Sequence, residues 1–279
     1  MLRGLFECRI MTLAHIAAIH FDSRTEYAKK RLQKLKRAGL VSERPRRVSE
    51  PSILSLAKDG LLLLRERGIL AEYPTFSLPA LLRRAHVSDR TVRHELAVMD
   101  AKAAFHAAVQ GHATLSVTEF GTWPRLYEFD ARHPQEGTMT VKPDGFLRIR
   151  EKTASGSLID HVFFLEVDRS TEVLDTIASR AACYLDYYRS GRFAAKSGAP
   201  RDEYRRHPFR VLIVCKSAER RDNIAARLLQ CSPPILTQAL LSTQGEVMGD
   251  PLGGIWRKPV DFRKPLRIPT SLLRGSADH

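Results

Sequence analysis

The sequence predicts a two-part chain of mixed α and β structure, between the α+β and α/β classes. Three observations predict it. The 279 residues, 43% of them hydrophobic, suffice for two modest cores. The apolar period is mostly helical in the first third and gives way to β-branched and aromatic runs after residue 111. Charge is uneven as well: residues 1–90 carry 18 basic and 9 acidic side chains, against 27 and 22 in residues 91–279. Neither the composition nor any repeat fits a disordered chain, a collagen or a solenoid.

The total charge of +14, with a pI near 10.0, points to a polyanionic partner. The longest apolar runs, Leu61 to Leu64 and Val211 to Cys215, fall far short of the roughly 20 residues of a spanning helix. The start, MLRGLFECRI, lacks the pattern of a cleaved leader, so a cytoplasmic protein without a membrane partner is expected. Cys8, Cys183, Cys215 and Cys231 are scattered, with no pairing at ligand spacing. Reduced thiols and no zinc site are expected, and no nucleotide cofactor.

Taken in order, TLAHIAAIHF (residues 12–21) places Leu13, Ile16 and Ala17 on one helical face. His15 and His20 read as helix residues rather than ligands, since no acid or Cys lies at metal spacing. Ser23 and Glu26 form a capping-box pattern and Gly39 is a stop signal, so a helix is expected over Ser23 to Ala38. Its outer face carries Arg24, Lys29, Lys30, Lys34, Lys36 and Arg37. LVSERPRRVSEPSILSL then reads as a hairpin bearing Arg44, Arg46 and Arg47, and Ala57 to Arg67 as another helix.

Helix, turn, basic helix and hairpin is the order of a winged helix-turn-helix. One charge sign shared by helix and hairpin suits the grip of double-stranded DNA, with Arg24, Lys29, Lys30, Lys34, Arg46 and Arg47 as contacts. The organisation expected is a winged helix over residues 1–75, a linker with a short helical piece over 76–88, a second domain over 89–255 and a basic, Pro-rich tail over 256–279.

In the second domain, a helix from Asp89 to Gly111 precedes the strands LSVTEF, YEFDA, VKPDGFLRIRE and LIDHVFFLEVDRS. A helix from Val173 to Ser190, the buried-type strand FRVLIVCK and a helix from Arg220 to Cys231 follow. Asp144 heads one strand, and Glu166 and Asp168 share a face of the next. If those strands are neighbours, three carboxylates converge, and a hard cation such as Mg2+ or Mn2+ relieves their repulsion. Such a cation activates water against a phosphodiester.

PD, then E-x-acid on the following strand, then a helix with Arg180 and Tyr184 at RxxxY spacing resembles the PD-(D/E)xK, restriction-endonuclease-like fold with the QxxxY element of RecB-like nucleases. The layout as a whole resembles the replication-relaxation family, which includes the MobC-type relaxases. The pieces are RLQKLKRAGLV, RHELAVMDAKAAF, KPDGFLRI, FFLEVDRSTE and SRAACYLDYY, across roughly residues 10–215. The resemblance implies a plasmid or mobile-element protein that nicks or relaxes DNA. Asp144 and Glu166 would hold metal, and Asp168, Arg180 and Tyr184 would complete the site.

Asp168 stands where the motif has lysine. It would ligate a second metal or pair with Arg169 or Arg180; Lys142, two residues before Asp144, is an alternative and less favoured source of the missing cation. Glu95 reads either as a fourth carboxylate or as a partner of Arg93 or His94. Tyr184, Tyr187 and Tyr188 read as hydroxyl nucleophiles or as packing, and Trp123 and Trp256 as packing residues. The missing lysine leaves a second reading, a non-catalytic replication or transcription regulator. The oligomeric state, including a homodimer, stays open.

Overall fold

A computed structural model gives the fold, and it describes residues 1–45, 50–73, 77–85, 87–122, 127–133, 137–266 and 268–273, without the side chains of 84 and 85. Arg46, Arg47 and Trp123 lie outside the described residues. The chain packs as two compact units: Met1–Gln110 forms the body of the first, and Gly111–Gly121 with the chain from Leu126 the second.

The first unit runs α1 (Leu2–Cys8), β1 (Ile10–Met11), α2 (Leu13–His20), α3 (Thr25–Arg37), β2 (Val41–Glu43), β3 (Leu54–Leu56) and α4 (Lys58–Glu66). A 3-10 turn (Ile69–Glu72), α5 (Leu78–Ala85) and α6 (Asp89–Gln110) follow. Its three strands pair antiparallel in the order β1-β3-β2. Leu5, Ile16, Leu32, Leu35, Leu54 and Met99 fill one core. A second cluster of Phe6, Leu61, Leu64, Tyr73 and Leu81 takes the buried side of α5, the helical piece expected between residues 76 and 88.

Capping explains where the helices start and stop. Thr12 opens α2: its hydroxyl accepts from the His15 N–H, and the Thr12 N–H returns to the His15 ring. His15 Nε2 lies 2.7 Å from Asp100 Oδ1, so this histidine is a buried structural residue. The expected box of Ser23 and Glu26 does not form. Asp22 and Ser23 lie at φ 48° and 63° in the turn after α2, and Arg24 is the cap of a helix that begins at Thr25. At the other end Gly39, φ 68°, lets its own N–H reach Lys36 O and that of Leu40 reach Leu35 O, both at 3.0 Å. That closure satisfies two helix carbonyls, and the left-handed φ suits glycine.

The second unit runs β4 (Leu115–Gly121), β5 (Phe129–His133), β6 (Gly137–Val141), β7 (Gly145–Lys152), β8 (Leu158–Asp168), α7 (Leu174–Arg189) and α8 (Arg192–Lys196). After a 3-10 turn come β9 (Arg210–Cys215), α9 (Ala218–Leu229), β10 (Ala239–Thr243) and α10 (Gln244–Gly249). Five strands form a mixed sheet in the order β10-β9-β8-β7-β4. The β10, β9 and β8 strands are parallel, and β7 and β4 join antiparallel. The β5 and β6 strands form a separate ribbon.

The sheet is flanked by helices. Inward residues of β8 and β9 (Phe164, Val211, Ile213) pack with Ile177, Ala181 and Tyr184 of α7 and Ile224 and Leu228 of α9. Phe164 is the hub, fully buried, with ring centroids 4.8 Å from Phe209 and 4.9 Å from Tyr127, both edge-on. Trp256, also fully buried, donates its indole N–H to Pro251 O at 2.9 Å. Beside it Arg257 pairs by its backbone with Leu241, so the strap after α10 lies along the outer edge of β10. No described helix is long and apolar enough to cross a membrane.

Candidate functional site

Strand alternation puts Phe164, Glu166 and Asp168 on one face of β8: the phenylalanine enters the core and the two acids follow at the strand's carboxyl end. In the antiparallel ladder Gly145 lies opposite Leu165, and one more step sets Asp144 opposite Glu166. Asp144 Oδ2 accepts the Val167 N–H at 2.7 Å, which fixes its carboxylate across the strand end. The two strands are therefore neighbours, and Asp144 and Glu166 face each other.

The RxxxY spacing on α7 brings its two residues to the same carboxylate, since positions four apart share a helix face. Tyr184 donates to Glu166 Oε1 at 2.6 Å and Arg180 Nη1 to Oε2 at 2.7 Å. Arg180 also pairs with Glu172. Burial, and then the charge of Asp144, push the Glu166 carboxyl well above the usual carboxylate range, against the pull of Arg180. Burial and the charge of Glu166 likewise raise the Tyr184 phenol, which keeps its proton and serves as a donor. The rings of Tyr184 and Tyr187 belong to the core, with the Tyr184 hydroxyl on Glu166 and the Tyr187 hydroxyl 2.9 Å from that of Tyr127.

Asp168 is engaged elsewhere. Arg220 Nε donates to Oδ2 at 2.8 Å and Nη2 to Oδ1 at 3.1 Å, with a further bond from Nη2 to Glu172 O. Ser217 caps α9 and accepts the Arg220 N–H at 3.2 Å, which sets this arginine in the first turn of the helix. Parallel pairing of Asp168 with Cys215 brings that turn over the acid. Arg220 thus takes the pairing role expected of Arg169 or Arg180. Reading the sequence missed it because the β8–β9 neighbourhood joins residues 52 positions apart.

Lys142 pairs with Glu128 at 3.2 Å on the surface and does not stand in for the motif lysine. Glu95 is bound by Arg9 at 2.8 Å within the first unit rather than by Arg93.

Two hard oxygen donors face each other at Asp144 and Glu166, one of them buried and held toward its protonated form. That donor chemistry suits a hard divalent cation. The third expected ligand does not join them, because both oxygens of Asp168 accept from Arg220. Among the described residues no group of three or more His, Cys, Asp or Glu side chains is placed to hold a metal ion. Glu166 is engaged as well, its two oxygens accepting from Tyr184 and Arg180, so a cation at the Asp144–Glu166 pair would share that carboxylate with both donors.

In the first unit, Lys29, Lys30 and Lys34 stand exposed on α3, and among the described residues their side chains have no partner. Lys30 and Lys34 are one turn apart, and Arg37 continues their row. Arg24 differs: it binds Asp22 at 2.7 Å and lies 5.4 Å over the Tyr27 ring. Lys36 pairs with Glu43, and Arg44 with Asp89 and Val87 O.

Together these define a two-unit, mixed α+β protein with a basic helix in one unit and a buried, arginine-compensated carboxylate site in the other. A family model described as Replication-relaxation matches residues 2–201, more than two thirds of the chain. The chain belongs to the replication-relaxation family, and that membership points to a part in plasmid or mobile-element replication or transfer. No curated protein and no solved structure matches it.

Proposed function

We propose that the protein binds double-stranded DNA through its first unit and acts in the replication or transfer of a plasmid or mobile element. The observation that carries this is the unpartnered row on α3: Lys29, Lys30 and Lys34 point into solvent while Arg24, Lys36 and Arg44 nearby are paired. Cations left without acids are available to phosphates, and releasing condensed counterions drives such binding. The order α1, β1, α2, α3, β2, β3 supports a winged helix-turn-helix reading with α3 as the recognition helix. A gel-shift titration on duplex DNA tests it. The native protein binds, and Lys30→Ala with Lys34→Ala weakens binding to every sequence alike; undiminished binding would move the DNA face elsewhere.

A second reading, metal-dependent nicking on a nuclease-like domain, is favoured by Asp144 facing Glu166. These two residues would hold Mg2+ or Mn2+, which when bound supplies an activated water and charge relief at the phosphodiester. Arg180 and Tyr184 orient Glu166, and Arg220 keeps Asp168 aside. Supercoiled plasmid incubated with either ion is the test, with Asp144→Ala and Glu166→Ala beside the native chain. Open circles from the native protein alone support nicking. Plasmid bound but uncut, including the native element's own DNA, favours a non-catalytic regulator.

A further inference from the structure

The first unit holds a cleft of about 540 Å3 beside α3, within the size range of small-molecule sites. Its floor is apolar, made by Leu2 of α1, Phe21 after α2, Leu35 of α3 and Leu63 of α4. On its rim stand Arg31 of α3 and Arg67, the residue that closes α4. Both are exposed, and among the described residues neither side chain has a partner. No acid lines the cleft among the described residues. The third arginine there, Arg3, is spent on Glu7 and Glu72, each at 2.8 Å.

Two uncompensated guanidiniums over an oily floor select a particular chemistry. A bare phosphate or a stretch of DNA backbone would satisfy the arginines but leave the apolar floor wet. A neutral oily molecule would cover the floor and leave the charges unused. A molecule that has both parts gains area burial and charge-assisted hydrogen bonds at once.

We propose that this cleft is a binding site for a small amphipathic anion: an aromatic or aliphatic body on the apolar floor, and a carboxylate, sulfonate or phosphate head on Arg31 and Arg67. The site is separate from the Asp144–Glu166 pair and does not rest on the DNA-binding reading.

The test uses the full chain without DNA and two probes with the same ring system. One is 8-anilino-1-naphthalenesulfonate and the other is its uncharged analogue, N-phenyl-1-naphthylamine. The sulfonate binds the native chain saturably at one site. Arg31→Gln with Arg67→Gln, both surface changes, weakens it at least about tenfold, the scale of losing charge-assisted contacts at an open rim. The uncharged probe binds both proteins alike. Leu63→Ser, which opens the floor, weakens both probes. Non-saturable binding, an unchanged sulfonate affinity in the double variant, or an equal loss of both probes in that variant overturns the proposal.

Discussion

Arg220 holds both carboxylate oxygens of Asp168 in a two-pronged grip, 2.8 and 3.1 Å long, from the first turn of a helix 52 residues further along the chain. The Asp168 side chain is only 4% exposed and that of Arg220 16%. A charge pair this dry costs a good deal to break from one side, because the survivor stays buried without compensation. Arg220→Ala is therefore expected to lower stability by about 3 kcal/mol. Asp168→Asn with Arg220→Gln, which removes both charges, recovers most of that loss. Urea midpoints of the three proteins check it; equal midpoints for native and Arg220→Ala would mean that the pair is absent in solution.

Salt dependence reports on the α3 lysines directly. Each phosphate neutralised contributes about −0.9 to the slope of log K against log salt for duplex DNA. Replacing Lys30 and Lys34 by alanine should flatten that slope by about 1 to 2. Binding measured from low to moderate salt gives the number, and a parallel pair of lines would remove both residues from the interface.

Acid should weaken the first unit through His106. Burial first, and then Lys102 and His20, pull its imidazole from 6.5 down to about 4. The unfolded chain therefore binds a proton between those values that the folded chain refuses. Stability is complete above about pH 6.5 and falls as pH drops toward 4, by at most about 1.4 kcal/mol per pH unit for one site. Unfolding midpoints at pH 7 and pH 4.5 show the fall, and His106→Gln should shrink it. Should the two proteins lose stability equally on acidification, the histidine is not the cause.

Gly191 should resist substitution. It sits at φ 68°, and an added Cβ would come within 2.2 Å of Arg201 O, a backbone atom that cannot swing aside. Gly191→Ala is expected to cost more than about 1 kcal/mol, from the left-handed backbone together with the clash. Gly198 serves as the control: its φ is 85°, but nothing lies within 4 Å of its Cβ position, so its alanine variant pays the backbone cost alone. Thermal melts of the pair rank the two; a milder loss at Gly191 contradicts the clash.

Much of this arrangement was legible because it is local. The α3 period and its Gly39 stop, the placing of Glu166 and Asp168 on one face, and the convergence of Arg180 and Tyr184 all follow from spacing within one element or between adjacent ones. Asp144 opposite Glu166 needed only that consecutive strands pair. What escaped depended on distant packing or on a backbone turn. Ser23 has the composition of a cap, yet the tight turn at Asp22 and Ser23 moves the helix start to Thr25. The β10 strand follows the proline pair and residues 235–238 with no turn signal to mark its start, and pairing with the parallel β9 makes it a strand. Arg220 looks like any charge on an amphipathic helix until the β8–β9 pairing delivers it to Asp168.

That pairing also lies beyond the stretch the family shares. The matched region ends at residue 201, before β9 (Arg210–Cys215), before β10 and before Arg220. A fragment trimmed to that limit would keep β8 but strip it of its parallel neighbour, leaving a row of backbone groups open to pairing with other chains. It would also leave Asp168 buried with its counter-charge cut away. The family boundary is thus a poor place to end an expression fragment: the segment after it supplies one wall of the domain.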